Sequence, residues 1–268
     1  MSQSLYKYLN KLENHSVLVL GGSSGIGFAV AEAALEHGAR VVISSSNQAK
    51  VDSAVLQLQD HAKAINRSPS AVTGLVCDLA NGTTVEDNIV KLLEFATKVD
   101  KLDHVAYTAG NVIGLPSLDR TTLQEIHGAS MVRQYAPILL AKQLPKYMKV
   151  SARGSFTITG STNAWRPGPG WSVITSIVSG VEGLARGLAV DLNPLRVNVV
   201  QLGIVPTEFF DHIPHRQEFE EQSRRDVLTG RLGKPEEVAE AYIYLMKDSF
   251  ATGTTLVTDG GALISRRV

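Results

Sequence analysis

The sequence predicts a doubly wound α/β fold, one parallel sheet of about seven strands with helices on both faces. Three observations carry that prediction. Short β-branched runs alternate with longer amphipathic stretches along all 268 residues. A glycine cluster follows the first run and opens the first amphipathic stretch. No Pro/Gly/Ser linker, internal repeat or low-complexity tract divides the chain, so residues 1–268 read as a single domain. Surface scaling implies that a chain this long buries about 73% of its unfolded surface, enough for a core without disulfides or metals.

The runs Ser16–Leu20, Val41–Ser44, Val72–Cys77, His104–Thr108, Ser155–Thr159, Val197–Leu202 and Thr254–Thr258 read as buried strands. Between them, Ile26–His37, Gln48–Ile65, Thr84–Thr97, Leu123–Met148, Trp171–Leu192 and Glu236–Lys247 read as amphipathic helices. Pro206–Gly230 is the irregular region, rich in charge, Phe and His. It is expected to form a loop with short helices over the C-terminal edge of the sheet.

Composition excludes several function classes. Lys+Arg and Asp+Glu both number 26, giving no net charge and arguing against nucleic-acid or anionic-membrane binding. Hydrophobic residues make up 44% and charged residues 19%, a globular balance. The single cysteine, Cys77, precludes an intramolecular disulfide and a Cys-rich zinc site, and the histidines show no metal-like pairing. Met1 to Leu12 has no apolar run, and no stretch reaches ~18 uninterrupted apolar residues. A cytoplasmic protein acting on a small molecule is the expectation.

Val17–Leu20 leads directly into Gly21-Gly22-Ser23-Ser24-Gly25-Ile26-Gly27 and then a helix. Glycines there permit a tight turn and bring backbone N–H groups to a pyrophosphate at the helix N-terminus, where the dipole favours an anion. The end of the second strand should select the adenosine ribose. An acidic residue there would favour NAD, whereas Ser44-Ser45-Ser46-Asn47 are neutral donors that do not repel a 2′-phosphate. NADP(H) is therefore expected; the alternative is a polar loop that only caps the next helix. In Cys77-Asp78-Leu79, Asp78 either accepts from the adenine amino group or serves as a helix N-cap.

Further along lie Thr108-Ala109-Gly110, then Ser161, Val197-Asn198-Val199 with Gly203, Val205 and Thr207, Gly230-Arg231 with Pro235-Glu236-Glu237-Val238-Ala239, and Asp259-Gly260-Gly261. With the glycine loop, these pieces resemble the short-chain dehydrogenase/reductase family over nearly the whole chain. The resemblance implies a single Rossmann-type domain with Gly203, Val205 and Thr207 beside the nicotinamide. It also implies a homodimer or homotetramer, with the helix Trp171–Leu192 at the interface.

The family's catalytic pattern is a Ser, a Tyr thirteen residues later and a Lys four after that. Ser161 fits the serine, but the Tyr place holds Ile174, the Lys place Val178, and the family's helical Asn falls at Arg133. Positions 174 and 178 share a helix face. Ile and Val can neither give nor take a proton, and general acid–base help is worth about 10²–10⁴ in rate. Ketone reduction by the usual route is therefore expected to be slow. A cationic substrate such as an iminium needs no acid. Arg133 pulls the other way: it would polarise a carbonyl or hold an anionic group, or it is an ion-pair partner.

Arg166-Pro167-Gly168-Pro169-Gly170-Trp171 forms a stiff loop before the helix, and Trp171 offers a flat apolar face or plugs the helix start. This loop, with Arg133 and no Tyr or Lys, resembles a divergent fungal subgroup, the reductase/Diels–Alderases of the malbrancheamide and paraherquamide pathways. That resemblance implies an Arg at 133 and an Asp at the place where this chain has Gly168. The expected catalytic set is Arg133, Ser161 and Trp171, in an NADPH-dependent reductase or reductive cyclase for a bulky apolar substrate. The alternatives are a non-redox cyclase or isomerase with structural NADP, and a cofactor-binding pseudoenzyme.

Overall fold

A computed structural model describes residues 8–111, 117–212 and 215–265. Strands β1 (Ser16–Leu20), β2 (Arg40–Ser45), β3 (Val72–Val76), β4 (His104–Tyr107), β5 (Ser155–Ser161), β6 (Arg196–Leu202) and β7 (Thr255–Thr258) form one sheet. Its order is β3-β2-β1-β4-β5-β6-β7 and every neighbouring pair is parallel. The helices are α1 (Gly25–Glu36), α2 (Gln48–Ala64), α3 (Val85–Ala96), α4 (Leu123–Ser130), α5 (Ala136–Tyr147), α6 (Ser172–Asp191), α7 (Arg216–Arg225) and α8 (Pro235–Lys247).

β1 shows why the sheet is covered on both sides. Its side chains alternate between faces, as the period of a strand requires. Leu18 and Leu20 join Leu92, Leu140, Leu144 and Val181 in one core, beneath α3, α5 and α6. Val17 and Val19 join Val30, Leu35, Leu58 and Tyr242 in the other, beneath α1, α2 and α8. The chain reverses its direction of winding between β2 and β4, both of which pair with β1. That switch point opens a crevice at the strands' C-terminal ends, the usual ligand position in such sheets.

The expected strands are present within two residues of their sequence bounds. The stretch Leu123–Met148 differs: it is not one continuous α-helix. α4 ends at Ser130, a π-turn spans Met131–Tyr135, and α5 resumes at Ala136. The Ala136 N–H bonds the Met131 carbonyl, five residues back. Pro137 supplies the reason, since it has no N–H to offer the Arg133 carbonyl and its ring crowds that oxygen. The Tyr107 hydroxyl braces the widened turn by donating to the Val132 carbonyl at 2.5 Å.

Pro206–Gly230 forms a 3₁₀ turn over Glu208–His212 followed by α7, as the expected short helices. The His212 side chain lies outside the described residues. α6 is 20 residues long with mean hydropathy 1.4, long and apolar enough to cross a membrane by length and composition alone. It carries Glu182 and Arg186, and it buries Ile177, Val178, Val181 and Ala185 against β5 and β6.

Candidate active site

Three segments converge at the switch point. The loop after β1 turns back on β2, where the Ser44 carbonyl accepts from Gly21 N–H at 2.8 Å and Gly22 N–H at 3.0 Å. After β4, Thr108 returns to β1 through its N–H (2.8 Å) and its hydroxyl (2.7 Å), both bonded to the Leu20 carbonyl. Gly21, at φ +84°, packs so closely on this turn that a Cβ would lie 2.7 Å from Ala109 N. A Cβ on Gly27 would overlap the Gly21 carbonyl oxygen and Thr108 Oγ1. These glycines let two backbones and a helix meet where no side chain fits.

The N-terminus of α1 faces the crevice. Ser24 occupies the N-cap without a capping hydrogen bond, and no acidic residue lies in the first turn, which carries Ile26. Its leading amide donors stay uncapped by the chain, the arrangement that binds anions. Thr207 comes in from after β6: a Cβ on Gly25 would lie 3.0 Å from Thr207 Cγ2 and 3.6 Å from Glu208 Oε2. Thr207 Oγ1 accepts from Phe209 N–H at 3.3 Å, starting the 3₁₀ turn. Ahead of it, Gly203 bonds the Thr258 carbonyl at 3.0 Å, and buried Val205 packs near Gly233.

The adenosine-side residues divide. Ser44 is buried, and its carbonyl accepts from the Gly21 and Gly22 amides. Ser45 is half-buried, while Ser46 and Asn47 are exposed. Asn47 Oδ1 caps α2 by accepting from Lys50 N–H at 3.0 Å. Asp78 Oδ1 accepts from Ala80 N–H at 2.8 Å, a local turn, and Leu79 is buried behind it. Beside it, burial and Asp78 push the Cys77 thiol up to about 12, so it stays a neutral packing group.

Arg133 sits in the π-turn and lies across the β4 turn. Its Nη2 donates to the Asn111 carbonyl at 3.1 Å and would be 2.9 Å from a Cβ on Gly110. The Phe209 ring lies 5.7 Å from the guanidinium carbon. Arg133 Nε and Asn111 Oδ1 are both buried without a partner, and among the described residues no carboxylate is within 4.0 Å of the guanidinium. Burial draws the Arg133 pKa below its ordinary value, though an arginine remains charged at neutral pH. The result is a shielded cation with an unspent donor.

Ser161 ends β5, and its hydroxyl accepts from Asn163 N–H at 3.3 Å, so it also caps the turn Thr162–Ala164. Trp171 is the N-cap residue of α6, half-buried, with Gly168 beside the indole edge. In the next turn Ile174 is half-buried and Val178 buried. Tyr107 is fully buried with its hydroxyl committed and its pKa raised by burial, which removes it as a substitute acid. His127 is exposed against the edge of Tyr135, and His215 is exposed beside Glu218.

Three features escaped the sequence reading. Phe209 stacks on Arg133, Asn111 supplies both a carbonyl partner and an orphan amide oxygen, and Thr175 buries a hydroxyl without a partner next to Ile174. None belongs to a spacing motif; only the π-turn and the β4 turn bring the first two to Arg133.

A family model described as an SDR-like Rossmann domain matches residues 8–265. The short-chain dehydrogenase/reductase malC of Malbranchea aurantiaca is 43% identical over 94% of this chain and 96% of its own length. The solved structure of that MalC reductase/Diels–Alderase superposes with a TM-score of 0.90, covering 95% of this chain and 98% of the other. The short-chain dehydrogenase/reductase fsr5 of Gibberella fujikuroi is 40% identical over 98% of this chain and 99% of its own. A Burkholderia cenocepacia short-chain dehydrogenase solved in complex with NADP superposes at 0.79 with 27% identity, over 94% of this chain and 99% of that one. With a crevice at the switch point, a glycine cradle and these likenesses, the chain belongs to the short-chain dehydrogenase/reductase family.

Proposed function

We propose that the chain is an NADPH-dependent reductase of atypical mechanism, acting on a bulky apolar substrate at an iminium or an activated carbonyl, and that it serves as a reductive cyclase in secondary metabolism. The observation that carries this reading is the pairing of an apolar helix face, Ile174 and Val178, with a half-buried guanidinium at Arg133 that has no counter-ion among the described residues. The likeness to a reductase/Diels–Alderase supports the reaction class.

The crevice fits a dinucleotide. The cradle of Gly21, Gly25 and Gly27, with Ser23, Ser24 and Ile26 around the start of α1, would hold the pyrophosphate together with Thr207. Ser45 and Ser46, with no acidic neighbour in the Ser44–Asn47 run, would take a 2′-phosphate. Asp78 and Leu79 would flank the adenine, and Thr108, Ala109, Gly110, Gly203 and Val205 would line the nicotinamide side. Bound NADPH supplies a hydride.

The chain's own groups do the rest. Ile174 and Val178 exclude water and give no proton, so the electrophilic carbon must already be cationic or be polarised by another group. Arg133 is that group: its half-buried, partly unsatisfied fork can hold an oxygen that carries negative charge, and low local polarity strengthens the attraction. Ser161 adds a hydroxyl at the end of β5, and Trp171 gives a broad face for orienting a flat substrate.

Single-turnover mixing of the protein with NADPH and either a cyclic iminium or its matched ketone tests the proposal through absorbance at the dihydronicotinamide band. Faster oxidation with the iminium is expected, and with the ketone a loss of about 10²-fold or more in Arg133→Ala, which removes the group that polarises the carbonyl. Product formation without NADPH oxidation would support a non-redox cyclase instead. Unchanged turnover in Arg133→Ala removes the role given to that residue.

A further inference from the structure

The loop from Arg166 to Trp171 is poor in the bonds that usually fix a loop. Pro167 and Pro169 have no N–H, Gly170 has φ +78° with nothing within 4 Å of a Cβ, and a Cβ on Gly168 would meet only Trp171. Its backbone bonds are Arg166 N–H to the Thr162 carbonyl at 2.9 Å and Trp171 N–H to the Gly168 carbonyl at 3.3 Å. Something else must hold the loop in place.

The Arg166 side chain does so through the C-terminal segment. Its Nη1 donates to the Ala262 carbonyl, to the Ser265 carbonyl at 3.2 Å and to Ser265 Oγ at 3.4 Å. Those carbonyls belong to a tight turn over 259–265, closed by Ser265 N–H to the Gly261 carbonyl at 3.0 Å. Asp259 caps the start of the turn, accepting from Gly261 N–H at 2.8 Å and Leu263 N–H at 2.9 Å. A carboxylate at the amide end and a guanidinium at the carbonyl end is the favourable polarity for a helical turn.

The same turn grips the end of the Pro206–Gly230 segment. Ser265 Oγ donates to the Asp226 carbonyl at 2.5 Å, and the Gly260 carbonyl accepts from Leu228 N–H at 2.9 Å and Thr229 N–H at 3.1 Å. Among the described residues no carboxylate forms an ion pair with Arg166, so its charge is spent on these carbonyls.

We infer that Arg166 is a positioning residue: through the 259–265 turn it locks the Trp171 loop and the 226–230 segment into one body, and so fixes the substrate wall. This rests on the reading of Trp171 as that wall, but the test reads loop order and not turnover. The chain has two tryptophans, so Trp165→Phe leaves Trp171 as the sole indole. In that background, acrylamide quenching of Trp171 and hydrogen exchange of the 167–173 and 226–230 peptides would be measured in Arg166→Ala, Arg166→Lys, Ser265→Ala and the Arg166→Ala/Ser265→Ala double variant.

Arg166→Ala should raise exchange in both peptides together by about tenfold, the factor matching ~1.4 kcal/mol of lost charge-assisted bonding. Trp171 quenching should rise with it, and β1 peptides should not change. Lysine should restore part of the protection, and Ser265→Ala should add little to Arg166→Ala, because both act through one turn. Unchanged Trp171 quenching, or exchange raised only within 259–265, overturns the inference. If Arg166→Ala fails to fold, Arg166→Lys and Ser265→Ala decide it by the same two readouts. Loop order lost in Arg166→Ala, but no effect of Trp171→Ala on substrate binding, would instead count against the wall and leave the lock standing.

Discussion

At the scale of single residues, the proposed catalytic face is defined by what it does not carry: no phenol and no amine stand at 174 and 178. Gly21, Gly25 and Gly27 are legible from their spacing after β1, whereas Ile174 and Val178 stand out only against the Ser/Tyr/Lys pattern of the family the sequence resembles. The surroundings of Arg133 are legible only in part, because Phe209 and Asn111 reach it through space. Two residue-scale predictions follow from local geometry. Glu208 places a carboxylate oxygen 3.6 Å from the Cβ position of Gly25, beside the N-terminus of α1 where the pyrophosphate is proposed to sit. Glu208→Gln removes a like charge from that end, so NADPH should bind roughly 3- to 10-fold tighter at low salt, with the gain shrinking as salt screens it. Fluorescence titration at two ionic strengths checks this, and equal affinities in both proteins would place the pyrophosphate elsewhere. Gly168 has ordinary backbone angles, with the nearest Trp171 atoms 3.5 Å and 3.7 Å from its Cβ position. Gly168→Asp should therefore fold with stability changed by about 0.5 kcal/mol or less. It should also set an anion beside the indole edge, raising turnover of a cationic substrate relative to its neutral ketone.

Among the elements, the π-turn is the one that sequence periodicity could not announce. An apolar pattern over Leu123–Met148 satisfies a straight helix, and the strand-end motifs say nothing about its register. The signal was Pro137, which forbids the bond that a straight helix would make to the Arg133 carbonyl. The turn adds a residue to the coil, so every side chain before it is rotated by about 100° relative to a continuous helix. Arg133 owes its position across Gly110 to that offset. Pro137→Ala returns the missing N–H and should let α4 and α5 merge. Thermal stability is expected to hold or rise, while NADPH-dependent turnover falls by about tenfold or more as the guanidinium leaves its place. Full activity with an unchanged melting temperature would mean that Tyr107 and the packing around Val132, rather than the proline, hold the turn open.

Across the whole molecule, the parallel sheet with helices on both faces was legible in the strand–helix alternation, whereas the strand order comes from the structure. What alternation does not show is how the end of the sheet remote from the crevice is tied together. There His104 is fully buried at the start of β4, with Nδ1 2.8 Å from Ser155 Oγ and Nε2 3.0 Å from His15 Nδ1. Asp103 alongside accepts from Ser16 N–H at 2.9 Å and from Lys149 at 3.1 Å. Burial holds the His104 pKa well below 6.5, helped by His15, Arg196 and Lys149, and burial lowers His15 as well despite Asp103. The unfolded chain takes up these protons near pH 6.5, whereas the native chain resists them to lower pH. Their contribution to stability is thus complete above pH 6.5 and is lost as pH falls toward the depressed native values. For His104 the slope approaches about 1.4 kcal/mol per pH unit below that point. A denaturant series between pH 8 and pH 5 should show a flat midpoint down to near neutrality and then a steady decline. In His104→Asn, which keeps a polar partner for Ser155 but cannot titrate, that decline should be shallower. An equally steep decline in the variant would assign the acid sensitivity to groups other than His104.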